Sequence, residues 1–144
     1  MNSKYLLYAQ LALIVLMFYF GNLSRVFESG ILSIIFIIGT TIGLWAYYNM
    51  GSKNFSPFPE PKKGAKLAQK GIYKYIRHPM YSGIMLVALS LFLSNLQFLS
   101  FTILALLCYV LDMKATTEED FLIKLHQEYK EYVSKTKKFI PRLY

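Results

Sequence analysis

The sequence predicts an all-α, polytopic membrane protein. It has four transmembrane helices, the third and fourth paired as a short hairpin, and a C-terminal amphipathic cytoplasmic helix. Three observations predict this. Hydrophobic residues make up 55% of the 144 positions, high for a soluble domain. Four long runs carry no lysine, arginine or acidic residue. Of the sixteen lysines and arginines, all but Arg25 fall on one side of those runs.

The first span, about 5–23, begins with the apolar run from Tyr5 to Phe20 and reaches membrane-crossing length by continuing through Leu23. A helix needs roughly 20 residues to cross about 30 Å of hydrocarbon. Lys4 ahead of this run fits a removable signal peptide, but "FGNLSRVF" offers no small-x-small cleavage site, so the run is kept as a span. The second span, 31–50, meets the required length directly. The third and fourth, about 79–93 and 96–112, are short and separated only by Ser94 and Asn95. They read as a helical hairpin that thins the bilayer or snorkels at its ends.

Cytoplasmic loops collect lysine and arginine, and here seven cations lie between Lys53 and Arg77 and seven between Lys114 and Arg142. Both termini and the central loop are therefore expected on the cytoplasmic side of the bacterial inner membrane or an equivalent. The chain reads as one domain, 1–144, with cytoplasmic segments at 53–79 and 114–144. A net charge of +8 suits anionic head groups; the basic residues flank spans, which argues against nucleic acid. The single cysteine, Cys108, has no partner for an intrachain disulfide and no second thiol for a metal site.

Within the first cytoplasmic segment, Pro57, Pro59 and Pro61 enforce an extended connector. In the second, Phe121, Leu122, Leu125, Tyr129, Tyr132 and Val133 recur at helical spacing. That spacing predicts an amphipathic helix that starts at a capping box, Thr117 to Asp120, and stops near Lys137.

Two constellations carry chemistry. In "GIYKYIRHPMYSG", Arg77 and His78 precede the third span and Pro79 suits a first helical turn. Taken alone this is an interfacial boundary, with Tyr73, Tyr75 and Tyr81 in the aromatic belt. Gly83 lets something approach the backbone closely, whether a ligand or another helix. In "TTEED", the carboxylates of Glu118, Glu119 and Asp120 could merely offset a helix dipole. Facing the basic, tyrosine-rich segment, they could instead converge with it on a polar ligand.

Together, "GAKLAQKGIYKYIRHPMYSG", a hydrophobic hairpin, "EE" and "EYKEYVSKTKKFIP" resemble the isoprenylcysteine carboxyl methyltransferase and phospholipid methyltransferase superfamily over about 54–141. The motif G-x-Y-x-x-x-R-H-P-x-Y-x-G is specific. The resemblance implies an integral membrane enzyme that uses S-adenosylmethionine, with no separate nucleotide-binding domain and no metal. It implies a cofactor pocket of Lys66, Leu67, Ala68, Tyr73, His78, Pro79, Tyr81 and Gly83, completed by Glu118 or Glu119, and a catalytic set of Glu118, Lys114 and Arg77. Lys114 stands where an arginine often precedes the acidic pair; it supplies charge without a bidentate fork. His126 stands where many members have glycine.

The residue types suit in-line methyl transfer, in which alignment supplies much of the acceleration. Tyrosine faces attract a sulfonium by roughly 0.5 to 2 kcal/mol; carboxylates hold hydroxyl or amino groups and cations hold a carboxylate. When a sulfonium meets an anionic nucleophile two charges vanish, a loss that apolar surroundings favour. The expected acceptor is accordingly lipophilic, a small molecule, lipid or lipidated chain, and anionic by preference; the protein is expected as a monomer or homodimer. The alternative is a non-catalytic membrane scaffold or subunit that binds anionic lipid through its basic segments.

Overall fold

In the computed structural model, residues 3–144 are described, and among them the elements are all helical. The order is α1 (Ser3–Phe20), α2 (Leu23–Glu28), α3 (Gly30–Met50), a 3-10 turn (Gly71–Lys74), α4 (Pro79–Ser94), α5 (Phe98–Leu125) and α6 (Tyr129–Lys135). Residues 51–70 contain no helix, as the alternating prolines require. Two helices, Gly30–Met50 and Phe98–Leu125, are long and apolar enough to cross a membrane by themselves. The other two predicted spans are shorter, 18 residues for α1 and 16 for α4.

The solvent-exposed surface is inverted relative to a water-soluble bundle. Along α3, the buried positions are the small residues Gly39 and Ala46. Ile31, Ile34, Ile37, Ile38, Leu44 and Trp45 point outward and are exposed. An outer face this apolar is stable against lipid and not against water. The interior is filled by Met17, Val26, Ala88, Leu91, Ile103, Leu107 and Leu111, drawn from α1, α2, α4 and α5.

Two sequence expectations need correction. The segment "TTEED" does not start a helix: α5 runs unbroken from Phe98 to Leu125. The Thr117 hydroxyl donates back to the Met113 carbonyl at 2.9 Å, as a mid-helix threonine does, so there is no capping box. Nothing between Leu111 and Leu125 breaks a helix, and the helix of the predicted fourth span simply continues. Its 28 residues are roughly 42 Å long at 1.5 Å per residue, longer than the about 30 Å of a bilayer's hydrocarbon. The predicted amphipathic helix is also split. His126, with φ −127° and ψ 112°, ends α5, and α6 restarts at Tyr129 in a direction that buries Tyr129 and Tyr132.

The two ends of the bundle differ. At one, the Asn22 amide donates to Ser94 Oγ at 2.9 Å and the Asn95 side chain donates to the Phe20 carbonyl at 2.8 Å, tying the hairpin tip to the α1–α2 turn. The opposite end carries the connector, the Arg77–His78 segment, α6 and the C-terminal turn.

Gly83 is explained by packing. A Cβ on it would lie 2.6 Å from the Gly39 carbonyl oxygen and 2.9 Å from the Gly43 nitrogen, while one on Gly39 would lie 2.8 Å from the Gly83 oxygen. Gly39 and Gly43 form a G-x-x-x-G face on α3, the small-residue arrangement that lets membrane helices approach backbone to backbone. Gly83→Val should therefore force α3 and α4 apart at a cost of about 1–3 kcal/mol or more. A lowered melting temperature in detergent checks this, and a wild-type melting curve would reassign Gly83 to ligand binding.

Candidate functional site

The site is assembled where α4 and the end of α5 meet the C-terminal turn. His78 precedes α4 and is 5% exposed. Its backbone is pinned by the tail: the His78 amide donates to the Lys138 carbonyl at 3.0 Å and the Arg77 amide to the Lys137 carbonyl at 2.8 Å. Ser82 Oγ donates to the Phe139 carbonyl at 2.7 Å. The tail is itself anchored by an ion pair from Lys138 Nζ to Asp112 Oδ1 at 2.6 Å.

The acidic pair divides its work. Glu119 Oε1 accepts from Arg77 Nε at 2.8 Å and faces His78 Nε2 at 2.9 Å. Arg77 Nη1 also donates to the carbonyls of Thr136, at 2.7 Å, and Val133, at 3.4 Å. Arg77 and Glu119 thus form a partly buried clamp that joins α5, α6 and the Arg77–His78 segment. Glu118 faces the other way: its Oε2 accepts from the Tyr81 hydroxyl at 3.1 Å and lies 3.6 Å from His78 Nδ1. Adjacent residues of a helix diverge by about 100°, which is why neighbours in sequence take different roles.

With a carboxylate at each ring nitrogen, His78 favours the doubly protonated imidazolium. Burial works against that charge, but the hydrogen bonds and fields of Glu118 and Glu119 outweigh it and raise the pKa above 6.5. A raised folded-state value means the stabilisation is fully present below the unfolded value near 6.5 and is lost as pH climbs through the folded one. The melting-temperature gap between the protein and its His78→Gln variant should be widest at about pH 6 and narrow toward about pH 9. A gap constant over that interval would show that the ring is neutral throughout.

A cavity of about 300 Å³ opens beside these groups. Lys66, Leu67, Ala68, Tyr73, Arg77, His78, Tyr81, Lys114 and Glu118 all reach its wall, so most of the residues singled out in the sequence converge. Pro79, Gly83 and Glu119 do not line it: Pro79 starts α4, Gly83 packs on α3 and Glu119 sits in the clamp. The Tyr81 ring stacks on His78, centroids 5.4 Å apart and planes 2° from parallel. Lys114 Nζ lies 5.4 Å from the centre of the Tyr81 ring.

Two residues of the cavity wall, Tyr73 and Tyr129, carry buried hydroxyls with no hydrogen-bond partner among the described residues. Burial first, then the nearby Glu118 or Glu119 carboxylates, pushes both phenols well above their ordinary pKa. Each is a neutral O–H donor left unpaired within the wall, and a buried unpaired donor of this kind calls for a polar partner. Among the described residues no group of three or more His, Cys, Asp or Glu side chains is arranged to hold a metal ion.

Gln10, Tyr129 and Tyr132 are wall residues not singled out as ligand groups in the sequence. In the sequence the tyrosines belong to an amphipathic stripe and to the "EYKEY" stretch of the family resemblance, neither of which marks them as cavity residues. Gln10, the one strongly polar side chain between Tyr5 and Phe20, was a signal that an apolar run made easy to pass over.

A model of the phospholipid methyltransferase family matches residues 28–129. A search of curated proteins finds no match to the chain. The matched stretch contains His78, Tyr81, Lys114, Glu118 and Glu119; α1 with Gln10, and the C-terminal turn, lie outside it.

Proposed function

The chain belongs to the phospholipid methyltransferase family, within the integral membrane methyltransferases, and from that premise we infer that it transfers a methyl group from S-adenosylmethionine to a lipophilic, anionic acceptor. The observation that carries this reading is the cavity wall, where the Glu118 carboxylate, the stacked His78–Tyr81 surface and the side chains of Tyr73 and Tyr129 meet around one space.

The residues fit the donor. Glu118 Oε1 has no partner among the described residues and is available for hydroxyl or amino hydrogens. The Tyr73 and Tyr129 hydroxyls can donate to a carboxylate or to ring nitrogens. The face of Tyr73 offers cation–π attraction to a positive centre, while the Tyr81 ring already carries His78 and Lys114. A volume of about 300 Å³ falls at the lower end of small-molecule sites. When bound, S-adenosylmethionine supplies an electrophilic methyl group on a sulfonium.

The chain's own contribution is to bind, orient and exclude water. His78 fixes the Tyr81 ring by stacking, and Glu118 fixes its hydroxyl, so this wall is rigid before a ligand arrives. Arg77 and Glu119 hold the segment that carries His78 and act as positioning residues. The prolines of the connector, with Phe55 and Phe58, line the cavity, and their apolar surface reduces its contact with water, which strengthens each charge contact inside.

A second cavity of about 280 Å³, lined almost entirely by apolar side chains of α1, α3, α4 and α5, shares Met80 and Ile84 with the first. It supports lateral entry of an acceptor tail from lipid, while the donor enters at the charged end of the bundle. The lysines and arginines concentrated at that end favour its cytoplasmic placement. Isothermal titration of S-adenosylmethionine into purified protein in nanodiscs tests the reading: micromolar binding is expected, and no binding in nanodiscs or in several detergents would favour a non-catalytic, lipid-binding scaffold.

A further inference from the structure

α1 lies outside the family match, yet it sends one polar side chain into the cavity. Gln10 is 7% exposed and Lys114, its partner across the α1–α5 contact, is 3% exposed. Lys114 Nζ donates to Gln10 Oε1 at 2.6 Å. Burying a glutamine in an apolar span costs free energy unless its groups are paired, and this contact satisfies only one of them. Among the described residues the Gln10 amide nitrogen, a two-hydrogen donor, has no partner.

Lys114 is equally incomplete. An ammonium carries three hydrogens; one meets Gln10 and the charge lies over the face of Tyr81. No carboxylate lies within ion-pair distance of it among the described residues. Both side chains line the same cavity, with Leu7 and Leu11 of α1 beside them. The wall therefore has two sides: Glu118 is the anionic one, and Gln10 with Lys114 presents spare N–H donors and a positive charge on the other.

We propose that Gln10 and Lys114 form the acceptor's head-group subsite and that it takes an anionic oxygen group, carboxylate or phosphate, borne by a lipophilic molecule. The proposal rests on the methyltransferase reading and deepens it. Glu118 repels such a group while Lys114 attracts it, which sorts an anionic acceptor from a cationic donor within one cavity. Gln10 holds the ammonium in place and adds a second donor of its own.

A purely structural Gln10 would serve only to satisfy Lys114, and glutamate would do that as well or better. A subsite Gln10 cannot be replaced so. The test is equilibrium binding of radiolabelled dodecanoate, dodecyl phosphate and dodecylamine to the full chain in nanodiscs, with empty nanodiscs subtracted, for the protein and its Gln10→Glu and Gln10→Leu variants. The protein should bind at least one anionic probe about tenfold or more tighter than dodecylamine, and the tighter of the two assigns carboxylate or phosphate. Gln10→Glu should melt no lower than the protein and bind S-adenosylmethionine within about twofold, yet lose about tenfold or more of its affinity for the anionic probe. Gln10→Leu, which removes the donor without adding charge, should lose about three- to tenfold. Anionic binding unchanged in either folded variant, or no anionic preference in the protein itself, overturns the proposal. Failure of the methyltransferase reading shows separately, as absence of S-adenosylmethionine binding in the unmodified protein.

Discussion

Glu119→Ala should unfold the site and lower the melting temperature more than any other single change considered for it. Glu119 Oε1 serves Arg77 Nε and His78 Nε2 together, and all three side chains are largely shielded, at 10%, 4% and 16% exposure for Arg77, His78 and Glu119. Removing the shared carboxylate leaves a largely shielded guanidinium without its carboxylate, and an imidazolium with only the more distant Glu118. Breaking a fully buried pair costs about 3–5 kcal/mol, and the loss from this largely shielded one approaches the lower end, still a large part of the roughly 5–15 kcal/mol that holds a domain folded. Arg77 would also release its hold on the Thr136 and Val133 carbonyls, freeing α6 and the tail. Thermal unfolding in nanodiscs, with donor binding measured on the same sample, checks this: both should be lost together. A Glu119→Ala variant with an unchanged melting curve would remove the clamp from the account.

Glu118→Ala should behave in the opposite way. Glu118 contacts the Tyr81 hydroxyl and flanks His78, but Glu119 alone keeps His78 paired and Tyr81 remains stacked. The fold should survive with a small shift in melting temperature. Loss of a charge-assisted contact to the ligand costs roughly 1.5–3 kcal/mol, about ten- to more than a hundredfold in affinity for S-adenosylmethionine. Titration calorimetry on the folded variant reads this directly. Wild-type affinity would mean that Glu118 only orders Tyr81. The two neighbouring glutamates thus give a paired contrast, one for stability and one for binding.

That contrast was not readable from "EE". The sequence carried the motif, its order along the chain and the apolar runs that surround it, because those are properties of residue type and spacing. It did not carry direction: whether Glu118 or Glu119 faces the cavity depends on the phase of α5, which the missing break near Thr117 sets. The capping-box reading failed for the same reason, since Thr117 followed three positions later by Asp120 looks alike at a helix start and in its middle. Gly83 was open between ligand approach and helix packing until Gly39 and Gly43 were placed opposite it. Gln10 and Lys114 are 104 residues apart, and no local pattern links them. The tail's hold on His78 is made by main-chain carbonyls of Lys137 and Lys138, which any residue type would supply.

The central claim is that this cavity catalyses methyl transfer to a molecule dissolved in the membrane. The most direct measurement incubates the protein in nanodiscs with methyl-labelled S-adenosylmethionine and a total lipid extract, then follows the label into the organic phase beside the Glu118→Ala variant. The account predicts label in a discrete lipophilic product with the protein and a loss of about tenfold or more with the variant. Label that stays wholly in the aqueous phase, or an organic-phase product formed equally by both proteins, would contradict it.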